Sequence, residues 1–263
     1  MSRECDRHCF FHPDLIRAAL ESYARHRSRS RGWWVSEKVR LYALAEAAFD
    51  RDDPREDAFG QVYDTLRAYW QIFRNGSGWS ARRTFRVLMS PPCRACSPER
   101  LDLLRLARGR DVPTVWQCLR AMSGVKTLPA HNVSAMAVSK FLHFFNPTLF
   151  PIYDRAVVRN RAFPRFRSRI ATSRERWRDP LRLLETDRVY DAGLGEYLHY
   201  LLWAADCVSS VDSRRSMTLF AEMFSDMLRA ENFPGTVPRR LTAYFATAFE
   251  FAMVGAVTQE PTP

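Results

Sequence analysis

The 263-residue chain predicts an all-α fold, and three observations lead there. Apolar residues recur at three- and four-residue spacing through nearly every segment. No alternating period-two run of useful length interrupts them. Caps, prolines and glycines fall between the stripes, where helices would start and stop. With 46% hydrophobic and 13% aromatic residues, the chain can bury a substantial core. Its length fits one large domain or two small helical lobes that share an interface.

Taken in order, Leu15, Ile16, Ala19, Leu20 and Tyr23 share one face of a first helix. Val39, Ala43, Leu44 and Ala47 mark a second. Asp53-Pro54 combines a cap with proline at the first helical position, opening a helix to about Phe73, and Gly76 and Gly78 end that region. Ser97-Pro98-Glu99 repeats the cap signal ahead of Leu101, Leu104 and Ala107. Val112 to Met122 follows, with Val115, Trp116 and Leu119 on one face.

Next comes an apolar helix that stops at Asn146-Pro147, a short extended passage ending at Pro151-Ile152, and a new helix beginning near Asp154. Proline disfavours the helical conformation in the residue before it, so Pro147 and Pro151 both mark breaks. Three stripes close the chain: Leu194 to Ala205, Leu219 to Met227, and Leu241 to Phe249. Ala256 to Pro263 reads as a frayed tail. No fixed-period repeat is visible, which argues against a solenoid. The expected organisation is a single helical unit over 1–263. Its lobes would be about 1–110 with the C-terminal helices, and 111–190.

The net charge is +11, from 40 basic against 29 acidic residues. Such an excess suits a polyanionic partner, most often nucleic acid. An arginine-rich codon bias would also produce it. Lys38, Lys126 and Lys140 are the three lysines, so each is more informative than an arginine, which could replace a purely electrostatic lysine. No apolar run reaches the about eighteen residues of a membrane span, and the N-terminus lacks a signal-peptide stretch. The expectation is a cytoplasmic protein with no membrane contact. Cys5, Cys9 and His12 with Cys93 and Cys96 could form a zinc site, but surface thiols beside Pro91-Pro92 explain the second pair equally well, and no metal or cofactor is assigned.

Two arginine clusters stand out. Arg159, Arg161, Arg165, Arg167, Arg169, Arg174, Arg176 and Arg178 are opposed in their own stretch only by Glu175 and interleaved with Phe163, Phe166 and Trp177. The arginines can neutralise phosphates, and the aromatics can stack or wedge into a duplex; a solvated basic face is the bland alternative. The cluster from Arg25 to Arg31 before Trp33-Trp34 has the same character.

Phe150-Pro151-Ile152-Tyr153-Asp154-Arg155-Ala156-Val157-Val158-Arg159 resembles the catalytic-aspartate segment of the helix-hairpin-helix DNA glycosylases, closest to their adenine-mismatch branch. The likeness covers roughly 130–159. It departs at the hairpin, where Met122-Ser123-Gly124-Val125-Lys126 carries one glycine of the two in the family's Leu-Pro-Gly-Val-Gly pattern. The resemblance implies two helical lobes around a degenerate hairpin and the aspartate. It also implies base extrusion from double-stranded DNA and cleavage of the N-glycosidic bond by a monomer, leaving an abasic site. A damaged base in self DNA and a modified base in phage DNA both fit.

Asp154 would then stabilise the positive charge that builds on the sugar or activate water. An ordinary N-cap aspartate would look the same locally. Lys140 lies about a turn from the family's Schiff-base lysine, whose place falls near Ala135 or Met136, so a water-using, monofunctional enzyme is expected. Gly124, Lys126, Arg159, Arg161, Arg165, Arg167 and Arg169 are the expected nucleic-acid contacts. Tyr153 and His143 are expected at the base pocket, with core packing as the alternative for each. A non-catalytic nucleic-acid-binding protein of the same fold is the second reading.

Overall fold

The computed structural model describes residues 10–29, 35–70, 79–123, 125, 135–185, 192–235 and 241–258. All regular structure among them is helical. The first half contains α1 (Pro13–Arg29), α2 (Val35–Ala48), α3 (Glu56–Trp70), α4 (Ala81–Leu88), α5 (Pro91–Arg94), α6 (Leu103–Leu106) and α7 (Val112–Ser123). Then come α8 (Ala135–Phe145), a π-helix (Arg155–Ala162), α9 (Phe163–Arg165), α10 (Arg167–Arg176) and α11 (Arg178–Glu185). The chain closes with α12 (Ala192–Ser209), α13 (Ser213–Ala230) and α14 (Phe245–Thr258). No described helix is long and apolar enough to cross a membrane.

Helix α14 reads FATAFEFAMVGAVT, apolar on every side but for Glu250, and such a helix belongs in the interior. It packs against α1 and α12. The approach to α1 is closest at Gly255, where an added Cβ would lie 1.7 Å from the Ala19 carbonyl oxygen. Only glycine lets the two backbones meet there. That contact also corrects the expected fraying at the start of the tail, since Ala256 is buried and the helix runs on to Thr258; the rest of that tail, 259–263, lies outside the described residues. Leu241 forms a separate 3₁₀ turn with Ala243, and the final helix starts only at Phe245.

Several helix starts differ from the sequence reading for local reasons. The Asp50 carboxylate accepts the N–H groups of Asp52 and Asp53, which makes that stretch a turn and delays α3 to Glu56. Asp102, not Ser97, caps the next helix, its carboxylate accepting from Arg105 N at 2.7 Å. Helix α2 is rotated relative to its expected face, burying Val35, Lys38, Val39, Leu41, Tyr42, Ala45 and Ala48 while Ala43 is exposed. Leu15, expected inside α1, is also exposed.

Cys93 and Cys96 are fully buried rather than surface thiols, with Cys118 Sγ 3.3 Å from Cys93 Sγ. Cys5 and Cys9 lie outside the described residues. Among the described residues, no group of three or more His, Cys, Asp or Glu is placed to hold a metal ion.

Helix α8 occupies the centre of the molecule, and all of 137–145 is buried. Its neighbours include α2, α7 and α12. The buried apolar side chains form one continuous cluster that spans all of these helices.

Candidate functional site

The passage after α8 begins as a turn, not an extended segment, with Leu149 N and Phe150 N donating to the Asn146 carbonyl and with the Thr148 and Pro147 carbonyls accepting from Leu103 N on α6 and Thr247 N on α14; side chains satisfy several of the remaining groups. Asn146 ties the start of the passage to the segment before α6. Its Nδ2 donates to the carbonyls of Cys96 (2.7 Å) and Leu101 (2.9 Å), and its Oδ1 accepts from Thr148 N at 3.0 Å. The Phe150 carbonyl accepts from His143 Nδ1 at 2.8 Å, and the Pro151 carbonyl accepts from the Tyr197 hydroxyl at 3.1 Å. Tyr153 N donates to Ser139 Oγ at 3.0 Å. Ser139 and His143 sit one turn apart on α8, so the passage is fastened along that helix. What this bracing delivers at its end is Asp154.

Asp154 caps the π-helix. Its Oδ1 accepts from Ala156 N at 2.8 Å and from Val157 N at 3.2 Å. The carboxylate therefore faces the positive end of the helix dipole. It is half-buried. Single π-turns concentrate at functional positions, and the π-geometry here begins at the residue after the aspartate.

Lys140, on α8, is only 5% exposed. Burial pulls its ammonium down from the ordinary lysine range to about 8, against the opposing pull of the Asp154 and Glu250 charges. An amine and two carboxylates therefore influence one another in the interior. Glu250 comes from α14. Its Oε1 accepts from Lys38 Nζ at 2.9 Å, and that ammonium lies 4.5 Å from the centre of the Phe251 ring. Glu250 Oε2 and the Tyr200 hydroxyl are buried without a hydrogen bond among the described residues. The Trp203 indole N–H is a third such atom, and few occur in a folded interior.

His143 completes this interior. Its Nδ1 faces a carbonyl, which can only accept, so Nδ1 carries the proton. Nε2 then accepts from the Tyr42 hydroxyl at 2.8 Å, and Tyr42 in turn accepts from Thr247 Oγ1 at 3.0 Å. Burial lowers the imidazole to about 4, which keeps it neutral and suits that bonding pattern. The expectation of a base-pocket histidine gives way to a positioning one, because both ring nitrogens are engaged inside the core.

Tyr153 also turns inward. It packs edge-on to Tyr197 and Tyr200, and its hydroxyl donates a short hydrogen bond to Glu196 on α12. Burial and the Glu196 carboxylate hold that phenol above its usual range. Glu196 also faces Arg159 at 3.8 Å. Together with Phe163, Arg174 and His199, these two line an open cleft of about 530 Å³ beside the π-helix.

The arginine segment forms a face. Arg159, Arg161, Arg165 and Arg167 are exposed and Arg169 is half-buried. Two of its three aromatics do not wedge outward as expected, Phe163 alone lining the open cleft: Phe166 packs against Phe10 and Trp203, and Trp177 is buried, its indole N–H donating to Asp206 at 2.9 Å. Asp206, on α12, also takes Arg176 at 2.6 Å. Phe166 and Trp177 anchor the segment to the core, and the arginines line its outer side. Gly124, Lys126, Arg31 of the second cluster and Trp33-Trp34 lie outside the described residues.

The structure thus leaves Asp154 near enough for its charge to bear on the buried Lys140, with Arg159 within two turns of it, and gives Tyr153 and His143 supporting places in the core. Sequence reasoning missed Lys38, Glu250, Glu196, Asn146 and Tyr197. Two of these carried a signal: Glu250 is the one carboxylate in an apolar helix, and Lys38 is one of three lysines.

Fold and site together define an all-α protein with a braced, half-buried carboxylate, a buried amine and a cationic face. No protein-family model, curated protein or solved structure matches the chain.

Proposed function

We propose that this chain is a DNA glycosylase that acts on a damaged or modified base in duplex DNA, a phage-modified base included. The observation that carries the reading is Asp154, a carboxylate fixed at the start of the π-helix by two backbone N–H groups, at the edge of an arginine face. The local likeness to the helix-hairpin-helix glycosylases over roughly 130–159 supports it.

In this reading the C1′–N bond breaks with its electron pair leaving on the base, and positive charge develops on the sugar. Asp154 stabilises that charge electrostatically. A water oxygen then bonds to C1′, and its proton passes by way of the carboxylate to the departing base. Backbone N–H bonds to Oδ1 keep the carboxylate in place and leave Oδ2 to the sugar. The exposed arginines would hold the phosphates of the extruded nucleotide.

Asp154→Asn tests this directly. Asparagine keeps the cap but removes the charge, so base release should fall at least about a hundredfold while melting temperature and DNA affinity hold. The assay is alkali cleavage of abasic product across a panel of damaged and phage-modified duplexes. Near wild-type release by the variant would overturn the assignment.

A second reading, in which Lys140 attacks C1′ and forms a Schiff base, has one specific observation in its favour. With its ammonium near 8, the amine is partly neutral at physiological pH and can act as a nucleophile. A borohydride-trapped protein–DNA adduct that vanishes in Lys140→Gln would establish it, and its absence would leave the water mechanism.

A further inference from the structure

We propose that the cleft lined by Arg159, Phe163, Arg174, Glu196 and His199 is a backbone-phosphate site, in which Glu196 acts as a built-in competitor for the phosphate. The site would take a phosphodiester of the bound nucleic acid. This rests on the nucleic-acid reading above but not on base cleavage.

With a volume of about 530 Å³ the cleft has room for a phosphate and the sugar attached to it. That is the size class of small-ligand sites. The lining chemistry selects an anion. Arg159 and Arg174 bring two guanidiniums against the single carboxylate of Glu196. A guanidinium presents a planar fork that matches phosphate oxygens. Phe163 is half-buried, with its ring centre 6.5 Å from that of Tyr200, and supplies an apolar wall for a sugar or base.

Position points the same way. Arg159 stands on the π-helix that Asp154 caps, and Glu196 is tied to the residue before Asp154 through the Tyr153 hydroxyl. Both links tie the cleft to the segment that carries Asp154.

Glu196 sets the mechanism. It lies 3.8 Å from Arg159 and is only partly exposed, so in the free protein it occupies the guanidinium that a phosphate would take. An arriving phosphate must displace it. The cleft then favours a polyanion held at many points over a lone anion, because neighbouring contacts offset that displacement. Glu196 is a positioning residue for the cleft, and removing its charge should strengthen binding rather than weaken it.

The test uses the full chain and a fluorescein-labelled unmodified duplex, read by anisotropy at fixed salt. Arg174→Gln should weaken binding about tenfold, the scale of one charge-assisted phosphate contact. Glu196→Gln should tighten it at least about threefold, because the amide still accepts from the Tyr153 hydroxyl while Arg159 is released. Inorganic phosphate should compete only weakly. Thermal melting confirms that both variants are folded. Opposite shifts in the two variants support the proposal. Unchanged affinity in both, or shifts of the same sign, would overturn it. So would tight binding of a free mononucleotide with duplex affinity indifferent to both variants. Since an unmodified duplex is the probe, a failure of base release leaves this result readable.

Discussion

Replacing Lys140 by methionine should stabilise the protein at neutral pH, and the gain should shrink as the pH rises. Lys140 is 5% exposed, and burial moves its ammonium from 10.5 to about 8. At about 1.36 kcal/mol per unit, keeping the charge inside costs about 3 kcal/mol near neutrality. The sign follows from proton counts. Between about 8 and 10.5 the unfolded chain holds a proton that the folded chain has released, so wild-type stability rises with pH across that window and is flat below it. Methionine keeps the length and apolar stem of the side chain and has no such dependence. Urea unfolding at about pH 7 should show the variant about 3 kcal/mol more stable, falling to about 2 kcal/mol at about pH 9. A variant no more stable than wild type, or a gain that ignores pH, would refute a buried charged amine. It would also remove the observation that favours Lys140 as a nucleophile.

Reversing Arg165, Arg167 and Arg169 to glutamate should weaken DNA binding and lower the log–log salt slope by about 2.7, and an unchanged slope would make this a solvated face only. His143→Gln should flatten the acid limb of stability. The imidazole sits at about 4 in the fold, so wild-type stability is lost as pH falls from about 6.5 towards 4, and an identical limb in the variant would remove His143 from that loss. Gly255→Ala should lower stability by at least about 3 kcal/mol, because the new Cβ overlaps the backbone of α1. It would stand 1.7 Å from the Ala19 carbonyl oxygen, so a melt within a degree or two of wild type would show that α1 yields freely.

How far the sequence could be read depends on the range of the interactions involved. The helices were legible because their signal is local periodicity, and Asp154 was legible as a cap because its partners, Ala156 and Val157, are two and three residues away. The direction a side chain takes is another matter. Tyr153 lies next to Asp154 in sequence, yet its orientation is set by Glu196, 43 residues on. The aromatics of the arginine run look outward-facing by composition, but Phe10, Trp203 and Asp206 draw Phe166 and Trp177 in. The deepest part of the site was the least legible, because Lys38 and Glu250 meet across 212 residues.

What connects these cases is that a charge inside an apolar stripe costs too much to persist without a partner. Lys38 within the buried face of α2, Lys140 within α8 and Glu250 within α14 each break a stripe that is otherwise apolar. Two cations and one anion on three separate core helices require that the helices bring opposite charges together, as Lys38 and Glu250 do at 2.9 Å. The interruption of a hydrophobic pattern is therefore a sequence signal for the buried charges that the local motif around Asp154 does not contain. Lysine at Lys38 and Lys140, in a chain that otherwise favours arginine, fits the same interior: an ammonium can shed its proton when buried, whereas a guanidinium stays charged and would bring five donors to satisfy.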